Sequence, residues 1–245
     1  MAGAAAIVTG HSRGLGSSIA HHLASRGIRV LGISRHENAD LARRHGDALT
    51  EVALDLADAP ALERWLRGGA LGRFLRGADS ALLVNNAGMV QPTGPLATQD
   101  VATVSRAVAL NVAAALVLSA AFAAASNARD RRILHVSSGA GRNAYAGWSV
   151  YCATKAALDH HARAVALDRT PSLRIGSVAP GVIDTEMQAE VRATTPDKLP
   201  DRQRFVDLKR EGRLLSPDAA ALAVVDLLLS DRFGDEPVSD IRAAS

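Results

Sequence analysis

Tyr151 and Lys155 stand four residues apart in VYCATKAALDHH, residues 150–161, a segment built mostly from small side chains. On a helix that spacing puts both on one face, about 40° apart around the axis and ~6 Å apart along it. A free phenol, with a pKa of ~10, exchanges protons poorly near neutral pH. An ammonium ~4 Å away, at an effective dielectric of ~20, favours the phenolate by up to ~4 kcal/mol, about three pKa units. Solvent screens most of this if the pair is exposed. In a cleft, the lysine brings the phenol towards the working pH and makes it a general acid. Ser138, thirteen residues upstream at the end of a predicted strand, offers a hydroxyl for a substrate carbonyl. Tyr145 has Ser149, not lysine, four residues on and is expected to be a wall of the substrate pocket.

A Tyr-x-x-x-Lys pair alone is an ordinary surface pair, so the elements that position it decide its meaning. Apolar or β-branched runs at 4–8, 28–33, 48–55, 80–88, 131–138 and 173–181 read as strands, with a short one near 237–241. Helical stretches are expected at 14–26, 38–45, 59–75, 99–127, 149–169 and 216–230. Strands that are apolar throughout, each followed by a helix, predict a single-domain Rossmann-type doubly wound parallel sheet. It would have about seven strands and helices on both faces. Ligands bind such sheets at the carboxyl ends of the central strands, where Ser138 falls. Nothing divides the chain, so 1–245 reads as one domain. The charged, Thr- and Pro-containing stretch 184–215 is either a flexible flap over the site or an ordinary surface insertion.

Between the first strand and first helix, TGHSRGLGSS places Gly10, Gly14 and Gly16 in a GxxxGxG pattern. Glycine lets a backbone turn sharply and approach a phosphate, and the helix N-terminus then supplies free N–H groups and positive potential. The general dinucleotide fingerprint is GxGxxG, so position between strand and helix carries more weight than the pattern. The second strand ends in Ser34 and Arg35 where an NAD site usually has a carboxylate. With Arg13 in the loop, Arg35 could converge on a 2′-phosphate, which favours NADP(H) over NAD(H). Glu37 is the nearest acid and could reach a ribose if the strand runs further. Asp55, followed by Leu56, could accept a hydrogen bond from an adenine amino group or simply cap a helix.

Taken together, the glycine loop, NNAG at 85–88, Asn111, Ser138, the YxxxK of 151–155 and PGVIDT at 180–185 resemble the short-chain dehydrogenase/reductase family in order and spacing. The resemblance covers about residues 5–185 and implies a catalytic set of Asn111, Ser138, Tyr151 and Lys155. Tyr151 would donate the proton and Ser138 orient the carbonyl. Lys155 would lower the phenol's pKa and hold the nicotinamide ribose, while Asn111 anchors a water relay to Lys155. Cofactor contacts are implied at Gly10, Ser12, Arg13, Gly14, Leu15 and Gly16, at Ser34 and Arg35, and at Asp55 and Leu56. Asn86, Ala87 and Gly88 would line the cofactor beside Tyr151 and Lys155; Pro180, Gly181, Val182 and Thr185 would hold its nicotinamide end. The closing EPVSDIRAAS lacks the two glycines many members use in tetramer packing. It is more like the sepiapterin reductase and benzil reductase branch, whose members reduce carbonyls with NADPH. The expected reaction joins a ketone, aldehyde or diketone to its alcohol. An NAD-dependent alcohol dehydrogenase and a non-catalytic NADP-binding redox sensor are the alternatives.

Composition narrows the remaining classes. With 245 residues, 48% apolar and 22% charged, a sizeable core can form, and 3% aromatics leave it to Ala, Val and Leu. A net charge of +3 without basic runs argues against nucleic acid. The single Cys152 fits a reducing compartment, and no signal-peptide pattern is seen, so the chain is expected to be cytoplasmic. Val108 to Ala125 is the most membrane-like stretch but reads as a buried or interfacial helix of a homodimer or homotetramer. No metal is expected: His21–His22 and His160–His161 are adjacent pairs whose members point different ways. Cys152 is read as packing, Ser137 as one residue off for the tyrosine, and Asp184 and Glu186 as helix-start acids that could touch substrate. Pocket walls are expected near 89–95, 139–148 and 184–215, with Trp148 and Tyr145 hinting at an aromatic or apolar ligand.

Overall fold

The computed structural model describes residues 3–243; Met1, Ala2, Ala244 and Ser245, the ends of the expected 1–245 domain, lie outside the described residues. In chain order the elements are β1 (Ala4–Thr9), α1 (Gly14–Ser25), β2 (Arg29–Ser34), α2 (Ala39–His45), β3 (Leu49–Ala53), α3 (Ala59–Arg67), α4 (Ala70–Leu75) and β4 (Ser80–Asn85). Then follow α5 (Val101–Val108), α6 (Ala114–Ala125), β5 (Asp130–Val136), α7 (Ser149–Leu167), β6 (Leu173–Ala179), α8 (Glu186–Ala193), α9 (Arg202–Arg210), α10 (Pro217–Leu229) and β7 (Val238–Asp240). The seven strands form one parallel sheet in the order β3-β2-β1-β4-β5-β6-β7. The expected fold is therefore present. The order reverses between β1 and β4, which opens a crevice at their carboxyl ends.

Alternating side chains of each strand feed two apolar layers. From β1, Ala4, Ala6 and Val8 pack with Ile19 and Leu23 of α1 and Val224 and Leu228 of α10. Ala5 and Ile7 face the other way, towards Leu62 of α3, Leu71 of α4, Leu118 and Phe122 of α6 and Ala162 of α7. The continuous helical run Val101–Ala125 is long and apolar enough to cross a membrane by length and composition. In this fold Leu118 and Phe122 are buried against the sheet, while Val108 and Val117 are exposed.

Three expectations need correction. The helix expected at 59–75 breaks at Gly68–Gly69, where Gly69 adopts φ +69° and starts α4. The helix expected over 99–127 contains a π turn, Ala109–Ala113, which carries Asn111. The stretch 184–215, for which no helix was expected, holds α8 and α9. Thr185 caps α8 by accepting the Gln188 N–H, and buried Val191 and Phe205 anchor the two helices. Few apolar anchors amid many charges hid their period.

Candidate active site

The loop after β1 is shaped by close backbone approach. A Cβ on Gly16 would lie 2.2 Å from the Gly10 carbonyl oxygen and 2.4 Å from Asn86 Nδ2, so only glycine fits. Gly10 itself adopts φ +68°. Asn86 Nδ2 donates to the Thr9 carbonyl at 2.8 Å, and Thr9 Oγ1 accepts the backbone N–H groups of Asn86 and Ala87 at 2.9 Å each. These bonds knot the carboxyl ends of β1 and β4 together. Thr9 escaped the sequence reading, although its place beside the glycine loop was a usable signal.

A second clamp also went unseen. His11 is fully buried and its Nε2 meets Glu51 Oε1 at 2.6 Å. Glu51 also accepts the Asn38 N–H at 2.7 Å, and Asn38 Nδ2 donates to the Ser12 carbonyl and to Ser17 Oγ. Gly32 is needed because a Cβ there would lie 2.5 Å from the His11 ring. Nothing in local spacing links residues 11, 38 and 51; only the sheet order β1-β2-β3 does.

Helix α1 starts without a side-chain cap and with no acid in its first turn, whereas Asn38, Asp58, Asp100, Thr185 and Ser216 cap other helices. Its free N–H groups meet a cleft of about 800 Å³. An uncapped N-terminus behind a loop that tolerates no side chain at Gly16 fits the pyrophosphate of a dinucleotide.

That cleft brings together Gly10, Ser12, Arg13, Gly14, Leu15 and Gly16 with Ser34, Arg35, Asp55 and Leu56 at one end. Asn86, Ala87, Gly88, Ser138, Tyr151 and Lys155 line it further along, with Pro180, Gly181, Val182 and Thr185 opposite. Glu37 sits on the same rim as Arg35. Arg13 is held in an exposed ion pair with Glu186 at the start of α8. Asp55 does not cap α3, whose cap is Asp58. It pairs with Arg106 at 2.7 Å, and that partner holds its carboxyl below the usual range against the opposing effect of burial.

At the far end, Tyr151 is 8% exposed and its hydroxyl is hydrogen-bonded to Ser138. Ser138 Oγ also accepts the Ala140 N–H at 3.2 Å. Lys155, 5% exposed, donates to the Val136 carbonyl at 2.8 Å, and its Nζ lies 5.7 Å from the centre of the Tyr151 ring. The expectation that the lysine brings the phenol down is not met here. Burial pushes Tyr151 up to about 12, opposed by the Ser138 hydrogen bond. Burial also pushes Lys155 down to about 8, opposed by Asp159. For these two buried side chains the desolvation penalty on each charged form outweighs the neighbouring charge, and the Lys155 ammonium is turned to the Val136 carbonyl.

Of the expected site residues, Asn111 alone stands behind the cleft wall. Its side chain accepts the Met89 N–H at 2.9 Å and donates to the Met89 carbonyl at 2.8 Å and to Thr154 Oγ1 at 3.2 Å. A Cβ on Gly88 would sit 3.3 Å from Asn111 Oδ1 and 3.7 Å from Lys155 Nζ, so the two side chains face one small gap.

An aromatic wall covers the site: Trp148 lies 5.6 Å from Tyr145, 5.4 Å from Tyr151 and 5.3 Å from Phe205, between ring centres. Ser137 is turned away and donates to Asp159 at 2.6 Å. Asp184 pairs with Lys209 and Arg192, tying α8 and α9 down. Cys152 is half-buried, its Sγ 3.7 Å from the Asn143 carbonyl oxygen. His21 bonds His45, His22 pairs with Asp218 and His135 bonds His161. Among the described residues no group of three or more ligating side chains could hold a metal.

A glycine-loop crevice at a parallel sheet's switch point, with Ser138, Tyr151 and Lys155 at its far end, defines a nucleotide-dependent oxidoreductase. Residues 4–196 match the family model for short chain dehydrogenase, and the chain belongs to that family. It is 35% identical over 235 residues to benzil reductase ((S)-benzoin forming) of Bacillus cereus, covering 93% of this chain and 94% of that enzyme. It is 32% identical over 246 residues to sepiapterin reductase of Meriones unguiculatus, covering 94% and 93%. A crystal structure of a short-chain dehydrogenase/reductase from Burkholderia vietnamiensis is 53% identical, with TM-score 0.72 and 99% of both chains covered.

Proposed function

We propose that this chain is an NADP(H)-dependent carbonyl reductase acting on a ketone, aldehyde or diketone, with Tyr151 as the proton donor. The observation that carries the reading is the Ser138–Tyr151 hydroxyl contact at the end of a cleft whose other end is the glycine loop. When bound, the nicotinamide supplies hydride. Ser138 and Tyr151 both point a hydroxyl at the position of a carbonyl oxygen and stabilise the charge that develops there. Tyr151 then gives its proton to that oxygen. A phenol pushed up to about 12 keeps that proton until the oxygen turns basic, which suits reduction. Lys155 holds the nicotinamide ribose and offsets the phenolate left behind. Asn111 and Gly88 leave the gap through which water returns a proton to Lys155.

Arg35 at the rim, with Arg13 once released from Glu186, supports a 2′-phosphate. Glu37 on the same rim favours the second reading, an NAD-dependent alcohol dehydrogenase. Pocket walls of Tyr145, Trp148 and Phe205 support an aromatic or apolar carbonyl substrate. The enzyme is read as cytoplasmic, pairing with copies of itself through the exposed Val108 and Val117 face of α5 and α6. A spectrophotometric screen of diketones, ketones, aldehydes and quinones with NADPH and NADH tests the reading. Oxidation of NADPH by at least one carbonyl is expected. Tight NADPH binding with no turnover on any of them would leave the non-catalytic sensor instead.

A further inference from the structure

Asp159 is 1% exposed and stands one turn beyond Lys155 on the same face of α7. Its Oδ1 accepts two hydroxyls, Ser137 Oγ at 2.6 Å from the end of β5 and Ser177 Oγ at 2.7 Å from β6. Its Oδ2 faces Arg142 Nε at 3.3 Å. A Cβ on Gly141 would lie 2.9 Å from Asp159 Oδ2 and 3.1 Å from the Lys155 carbonyl oxygen, so the turn after Ser138 packs between the two residues. A carboxylate is acceptor-only, which suits the two hydroxyls on Oδ1, while Oδ2 has no hydrogen-bond partner and meets the Arg142 cation alone. A buried carboxylate is nonetheless expensive unless a cation shares the interior.

We propose that Asp159 is a positioning residue for Lys155, its buried negative charge keeping the lysine protonated while its two serine bonds fix the strand ends that present Ser138 and the segment after β6. The proposal rests on the role given to Lys155 above. The groups facing Lys155 are few. On α7 they are Tyr151 and Asp159. From β5 come the Val136 carbonyl and His135, which burial pushes down to about 3 and so leaves uncharged. Arg142 acts from the turn after β5, through Asp159. Asn111 and Ser177 are neutral. Asp159 is therefore the one negative charge in this set, and it opposes the burial that pushes Lys155 down to about 8.

Lys155, Lys198 and Lys209 are the three lysines of the chain, so the titration of 13C-labelled lysine ε-carbons resolves Lys155 directly, with Lys198→Arg and Lys209→Arg for assignment. Asp159→Asn is expected to lower the Lys155 pKa by about one unit. Lys198 should not move, and the alkaline limb of kcat should shift to lower pH with Lys155. Ser137→Ala removes one bond and keeps the charge, so it should lower Tm and leave the Lys155 titration in place. An unmoved Lys155 in Asp159→Asn, or an equal fall in Ser137→Ala, overturns the proposal. Should Asp159→Asn fail to fold alone, the double variant Asp159→Asn/Arg142→Gln, which leaves no unpaired cation, is compared with Arg142→Gln: a lower Lys155 pKa in the double variant is expected, and no difference overturns the proposal. The titration needs no substrate. A chain that reduces no carbonyl yet shows these shifts would sink the proposed function and leave the coupling intact.

Discussion

The two ends of the cleft are held by different forces. The glycine-loop end is fixed by buried, mostly backbone-directed hydrogen bonds: Thr9 to Asn86 and Ala87, and His11 through Glu51 and Asn38 to Ser12 and Ser17. The opposite end, under α8 and α9, is held by ion pairs at the surface, Arg13–Glu186, Asp184–Lys209 and Asp184–Arg192, over the aromatic cluster of Trp148 and Phe205. Buried bonds of the first kind leave a polar group stranded when one partner is lost, at about 1–3 kcal/mol each. Exposed pairs are worth about 1 kcal/mol or less and weaken with salt. The first end is held by bonds that are costly to break, the second by contacts that are cheap to break.

The largest effect is expected where the reaction itself falls between the two. Tyr151→Phe removes the proposed proton donor while keeping the ring packed on Trp148, so kcat should drop by about 10²–10⁴. NADPH affinity, measured by fluorescence titration, should stay close to that of the unmodified chain because the glycine-loop end is untouched. A mutant that retains a tenth of the rate would remove Tyr151 from its role.

Arg35→Ala comes next and probes the glycine-loop end. Loss of a charged hydrogen bond to a 2′-phosphate costs about 1.5–3 kcal/mol, so KM for NADPH should rise by tenfold or more while KM for NADH barely moves. Equal changes for both nucleotides would defeat the NADP assignment and turn attention to Glu37 on the same rim.

The contrast between the ends also explains what the sequence could show. The parallel sheet was legible because β1, β2 and β4 are apolar on both faces, and the glycine loop because a close approach leaves glycine no substitute at position 16. Tyr151, Lys155 and Ser138 were legible from spacing and from strand-end position. The His11–Glu51–Asn38 clamp was not, since its members come from three segments that meet only through sheet order. Asp159 was passed over because a charge on a helix is usually solvated, and only burial reveals otherwise. The fall of the Lys155 pKa and the rise of the Tyr151 pKa depend on burial, which no spacing encodes.

The smallest effect should come from the ion pair at the start of α8. Glu186 holds Arg13 from across the cleft mouth, and both side chains are largely exposed. A 2′-phosphate that recruits Arg13 must first take it from Glu186, so the pair is a weak competitor for the cofactor. Glu186→Gln frees the guanidinium, and KM for NADPH should fall by at most about fivefold, in line with an exposed pair. The gain should shrink as salt is raised, because screening already loosens the pair in the unmodified chain. KM for NADH should not respond, since that nucleotide has no phosphate for Arg13 to meet. A rise in KM for NADPH instead would mean that Glu186 closes α8 over the bound cofactor and does not compete with it, and the ion pairs of α8 and α9 would then belong with the bonds of the glycine-loop end after all.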